Sequence, residues 1–187
     1  MAQWTSLDLP WHLTIPQSIY SPLHSHLFQD DDDEHGAVII AGVATTSRGV
    51  RLLARELHLA VDGVDYVPGK RGYRMLKADF ISSHIAHCRD EELVYLAVHN
   101  HGGRDHVGFS DDDFRSHERG YPALLEITKG QPVGALVFAE NAIAGDIWLP
   151  GERRVELAGA NIVGSKSVKL TPSPRPRPAG RTLVRFL

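Results

Sequence analysis

Cysteine is almost absent from this chain of 187 residues. Cys88 stands alone, so no disulfide can form within the chain, which fits a reducing, cytoplasmic setting. It sits in the helical pattern "ADFISSHIAHC" with no basic cluster beside it, and that predicts a plain buried thiol, not a nucleophile. Nowhere do ~18 apolar residues run together, so no membrane-spanning helix is expected. The start, "MAQWTSLDLPWHLTIPQ", lacks a basic segment followed by an apolar one, and no export signal is expected there. Excess charge is lacking too: a formal net charge of −3 gives no general attraction to nucleic acid. An apolar content of 42% and a length sufficient for one core remain, and they predict one domain followed by a tail.

Periodicity divides the chain. Residues 17–30 carry Ile19, Leu23 and Leu27 four apart and predict a helix. "GAVIIAG" (36–42) reads as a strand buried on both faces, and residues 50–61 follow "TTSRG" as its hairpin partner. Met75, Phe80, Ile81 and Ile85 have helical spacing, and "LVYLAV" (93–98) returns to strand. A helix should begin at Ser110 and break at Gly120 and Pro122. Strands are expected in 132–141, 142–151 and 153–164. The expected fold class is α/β, with a central mixed, mostly antiparallel sheet flanked by helices. The domain should end at 164, with 165–187 as an extended Pro/Arg-rich linker whose apolar end "LVRFL" suits the approach to a further C-terminal domain.

"YLAVHNHGGRDHVGFSDDDF" (95–114) carries the chemistry. His99 and His101 stand two apart at the end of a strand, where alternation turns both imidazoles to one side. Neutral imidazole is a good zinc donor, and a carboxylate and a water would complete a tetrahedron. "SDDD" is also a capping pattern with Ser110 as N-cap. The two readings are compatible, because a helix starting at Ser110 aims its first-turn side chains back at the strand end, which makes Asp113 the expected third ligand. Hydrolysis also needs a group to carry a proton. Glu34, directly before "GAVIIAG", is the candidate, whereas Glu91 and Glu92 look like the solvated start of a strand.

"HNH" followed by "SDDD" resembles the JAMM (MPN/JAB) metalloprotease motif, in which His-x-His and Ser-x-x-Asp form a zinc site with a glutamate upstream. "EHGAVIIAG" resembles that upstream element. The resemblance covers roughly residues 12–164 and implies a sandwich like that of MPN and cytidine deaminase proteins. It also implies one Zn2+ per chain held by His99, His101 and Asp113, with Glu34 as catalytic acid/base and Ser110 stabilising the oxyanion. The spacer between His101 and Ser110 holds eight residues, one more than the family's usual spacing, and Gly102 stands where a proline commonly follows. Such enzymes hydrolyse peptide or isopeptide bonds after ubiquitin-like tails. The tail of this chain is similar to that of bacterial proteins in which the domain precedes an E1-like (ThiF) domain. The implied partner is therefore a ubiquitin-like protein or its conjugates, with no nucleic acid and no membrane.

Two rival expectations remain. One is a metal-free MPN-type interaction scaffold. The other is a two-His-one-carboxylate iron oxygenase, since such a donor set does not by itself choose the metal. The remaining histidines are weaker. His24 and His26 should diverge on a helix, and His84 and His87 lack a carboxylate. His106 and Asp105 are loop residues with at most an outer role. His58 and His117 have no case beyond surface or packing.

Overall fold

The computed structural model describes residues 9–68, 74–151 and 153–172. Among the described residues there are eight strands and three helices, in the order β1 (Trp11–Pro16), α1 (Gln17–Leu27), β2 (Gly36–Thr46), β3 (Gly49–Leu59), α2 (Ala78–Asp90), β4 (Val94–Asn100), α3 (Asp111–Ile127), β5 (Val133–Phe138), β6 (Ile143–Leu149), β7 (Arg153–Val163) and β8 (Ser167–Leu170). No helix is long and apolar enough to cross a membrane among the described residues.

The architecture corrects the expected α/β fold with helices flanking a central sheet. The sheet closes on itself as a seven-stranded mixed barrel, β1-β3-β2-β4-β5-β6-β7, and β8 adds to β7. Closure depends on β1, which runs parallel to β3 on one edge and parallel to β7 on the other. The alternation of buried Trp11, Leu13 and Ile15 marks this strand, but its six residues lie between Pro10 and a helix that starts at Gln17. Periodicity in a single strand does not say how many neighbours it has, so closure was invisible in the sequence.

Two apolar layers follow from the alternation along β2. Ala37, Ile39 and Ala41 join Leu13, Ile15, Leu52, Leu96, Val98 and Phe138 in one cluster, which Leu23 and Leu27 of α1 complete. Val38 and Ile40 face the other way and pack with Tyr95, Ile85 and Cys88 of α2, and Tyr121 and Leu125 of α3. That double burial is why β2 reads as an unbroken apolar run. Burial pushes the Cys88 thiol up to about 12, leaving it unreactive.

Helix α3 runs through Gly120 and Pro122 without a break. A mid-helix proline costs about 3 kcal/mol, and here the buried face of His117, Tyr121 and Leu125, spaced by four, holds the helix against the sheet. Met75 does not join α2 but lies exposed before it, its carbonyl accepting from the Val67 amide. Past residue 164 the sheet continues, since β8 pairs Ser167–Val163 through Leu170–Ala160. Residues 173–187 of the expected linker lie outside the described residues.

Candidate metal centre

Strand register builds the site. β4 pairs antiparallel with β2, with Gly36 opposite His99, and continuing that register two residues further sets position 34 opposite position 101. Two hydrogen bonds hold the chain on this line beyond the strands. The His35 amide donates to Asn100 Oδ1 at 2.6 Å, and the His101 amide donates to the Phe138 carbonyl at 3.0 Å. Glu34 Oε1 consequently lies 3.6 Å from His101 Nε2.

His99 shares its sheet face with Tyr95 and Ala97, the side covered by α3. Both imidazoles turn to this side, and their Nε2 atoms stand 3.2 Å apart. Asp113 closes the triangle, with Oδ1 3.5 Å from His99 Nε2 and Oδ2 3.4 Å from His101 Nε2. With one ligand atom taken from each residue, the three lie within 4.8 Å of one another, close enough for all of them to reach one divalent ion. Among the described residues, these three are the only group of His, Cys, Asp or Glu whose ligand atoms converge in this way.

Two of the three donors, His101 and Asp113, are oriented from behind. His101 Nδ1–H donates to the Gly108 carbonyl at 3.0 Å, which leaves the lone pair on Nε2, where a metal would take it. Asp113 Oδ2 accepts from both the Ser110 amide and the Ser110 hydroxyl at 2.7 Å, while Ser110 Oγ accepts from the Asp113 amide at 3.2 Å. This is a complete capping box, and it aims the carboxylate at the histidines. Burial alone would push the Asp113 carboxyl up, but His99 and the Ser110 hydrogen bonds outweigh it and hold the group well below the usual carboxylate range. For Glu34 the balance is reversed: burial dominates the pull of His99 and His101, and its carboxyl is raised.

The longer spacer is absorbed without displacing Asp113. Gly103 adopts φ 123°, which suits only glycine, and the loop is tied to the β5–β6 turn by Asn141 N–H to the Arg104 carbonyl at 2.7 Å. Asp105 is turned away, accepting from Asn141 Nδ2 at 2.9 Å. A cleft of 170 Å³ opens beside the cluster, lined by Glu34, Arg74, Leu76, Ile81, His99 and Asp113 among others. Arg74 lies over the Tyr66 ring and pairs with Asp62.

Elsewhere the outcome is mixed. His87 does meet a carboxylate: Glu56 of β3, which no spacing within α2 reveals, bridges His87 Nε2 at 3.1 Å and His58 Nε2 at 3.2 Å, while His84 Nδ1 donates to the Phe80 carbonyl at 2.6 Å. These groups hydrogen-bond in pairs and do not converge on one point. His117 is buried and donates from Nδ1 to Asp146 Oδ2 at 2.9 Å, a polar role the sequence did not signal because its partner lies 29 residues away.

Comparison with protein-family models finds no match, and comparison with curated proteins finds none. Among solved structures, protein DSY2949 from Desulfitobacterium hafniense aligns over 77% of this chain and 88% of its own, with 10% identity and a TM-score of 0.46. The STIL N-terminal domain of Trichoplax adhaerens aligns over 79% of this chain and 42% of its own, with 9% identity and a TM-score of 0.33. Similarities this slight carry no argument about function, which must rest on the site.

Proposed function

We propose that the protein is a zinc-dependent peptidase or isopeptidase of the JAMM type, acting after the C-terminal tail of a ubiquitin-like modifier in a bacterial, cytoplasmic conjugation system. The observation that carries this reading is the convergence of one ligand atom each from His99, His101 and Asp113 to within 4.8 Å of one another, with Glu34 Oε1 alongside, 3.6 Å from His101 Nε2. One Zn2+ would be held by those three residues and, when bound, would supply Lewis acidity toward a scissile carbonyl and toward water.

The chain's own groups supply the rest. A carboxyl raised by burial is better matched to proton transfer near neutrality than an ordinary one. Glu34 accepts a proton from the attacking water and delivers it to the leaving nitrogen. Ser110 holds Asp113 in place, and the same hydroxyl, turned from Asp113, donates to the developing oxyanion. A Gly-Gly tail, which carries no side chains, would lie in the cleft beside Glu34 and His99.

The test is incubation of the zinc-loaded protein with a modifier fused through Gly-Gly to a reporter, with and without chelator, read by intact mass. Cleavage after the second glycine that chelator abolishes and zinc restores is the expected result. Stoichiometric zinc with no cleavage of linear or isopeptide-linked substrates would overturn the peptidase reading. Absence of metal would favour a scaffold, and iron with oxoacid-dependent turnover an oxygenase.

A further inference from the structure

A second polar centre lies behind the metal-ligand cluster, in the layer between α3 and the barrel. Asp146 of β6, 5% exposed, accepts four N–H bonds. His117 Nδ1 donates at 2.9 Å and Trp148 Nε1 at 3.0 Å, and Arg154 donates from Nε at 3.0 Å and from Nη2 at 2.7 Å. The His117 ring is held on three sides. It stacks on Tyr121 with centroids 4.8 Å apart and 13° between planes, takes Phe109 edge-on at 5.0 Å, and meets Phe114 at 6.1 Å.

Phe109 is the link to the metal centre. Its ring lies between His117 and His99, 6.0 Å from the latter, and the residue before it carries the carbonyl that accepts from His101 Nδ1. One aromatic side chain thus abuts one proposed ligand and, through its own backbone, fixes the orienting partner of the other. We infer that His117, locked by Asp146, is a positioning residue for the metal centre, acting through Phe109 on the planes of His99 and His101. This rests on the metal-site reading above.

The physical case is one of direction. Burying an imidazole and a carboxylate in an apolar layer is costly, and an apolar pair of similar volume would fill the same space at less cost. A hydrogen bond to an anchored acceptor fixes the rotation of the imidazole about its own axis, which dispersion contacts alone leave loose. A fixed His117 edge leaves Phe109 a single seat, and a fixed Phe109 leaves the Gly108 carbonyl a single position. Outer partners of metal-binding histidines change affinity by about 10–100-fold when removed.

The experiment measures Zn2+ affinity of the full chain by competition with a chromophoric chelator, and the visible spectrum of the Co2+-loaded protein. His117→Phe keeps the ring and its stack on Tyr121 but removes the hydrogen bond. Zn2+ affinity should fall about 10-fold, and the Co2+ bands should shift and weaken. Phe109→Leu cuts the link while keeping both partners of the His117–Asp146 hydrogen bond and should do the same, so it serves if His117→Phe does not fold. Thr128→Ala, which removes a buried hydroxyl at the far end of α3 that donates to the Leu125 and Gln131 carbonyls, controls for lost stability and should leave both readouts unchanged.

Wild-type affinity and Co2+ bands in His117→Phe would overturn the inference while the proposed function stood. An equal loss in Thr128→Ala would also overturn it, reducing His117 to general stability. A wild-type chain that binds no metal would overturn both.

Discussion

His24 and His26 on α1 have the same spacing as His99 and His101 at the end of β4, yet the two pairs end in different chemistry. Two residues along a helix turn a side chain by ~200°, so His24 meets the Tyr20 and Phe28 rings at tilted angles, whereas His26 Nε2 bonds the Gly36 carbonyl at 3.0 Å. Two residues along an extended chain return to the same face, and the Nε2 atoms of His99 and His101 meet at 3.2 Å. Of the first pair only His26 fastens the helix to the sheet. The second can share an ion. Identical letters take their chemistry from the period of the backbone that carries them.

The comparison breaks most sharply at His101. His101→Ala should weaken Zn2+ binding by more than about 100-fold, beyond the loss of an outer partner, while His24→Ala leaves it unchanged, both measured by chelator competition. Equal affinity in the two variants would sink the distinction. Glu34→Gln separates ligand from proton carrier: cleavage should fall by about 10²–10⁴-fold, the usual worth of a positioned acid/base, with zinc content unaltered by elemental analysis. Full turnover in that variant would remove Glu34 from the mechanism.

Stability effects come next. Asp146→Ala leaves His117 and Arg154 without their shared acceptor and should cost about 3–5 kcal/mol, read from the denaturant midpoint. His117, Arg154 and Trp148 together overcome the upward push of burial and hold Asp146 below the ordinary carboxylate range. Its stabilising contribution is therefore fully present above the ordinary value and is lost as pH falls through the lowered folded one. Acid titration of wild type should show that loss, and Asp146→Ala should flatten it. His26→Ala should cost about 1 kcal/mol, one hydrogen bond's worth, with no change in metal affinity.

The smallest effect is at Glu56. Hydrogen bonding to Glu56 raises His87 and, reciprocally, His87 lowers Glu56. The His87 contribution is present below the ordinary imidazole value and fades as pH rises through the raised one. Glu56→Gln should move the His87 midpoint downward in a nuclear magnetic resonance titration. An unmoved midpoint would mean that the contact does not persist in solution.

Much of the candidate site was legible because its geometry is local. The His-x-His spacing, the capping box at Ser110 and the acid three residues on are set by strand and helix periods, and those need no distant partner. Glu34 was nameable only as the acid before a buried strand. Its place beside His101 follows from the β2–β4 register, which pairs residues 67 positions apart. The Glu56–His87 contact and the His117–Asp146 pair escaped notice for the same reason, since each joins different elements.

The sequence by itself determined most strands and helices, though not β1, β8 or the unbroken course of α3, and also which faces are apolar and that two imidazoles and an aspartate leave adjacent elements in one direction, because alternation and helical period act over a few residues. Tertiary structure alone decided that the sheet closes through β1, that Glu34 meets the cluster, and that Asp146 locks His117. Those outcomes depend on pairing between strands remote in the chain, where the free energy belongs to the assembled core and no local pattern records it.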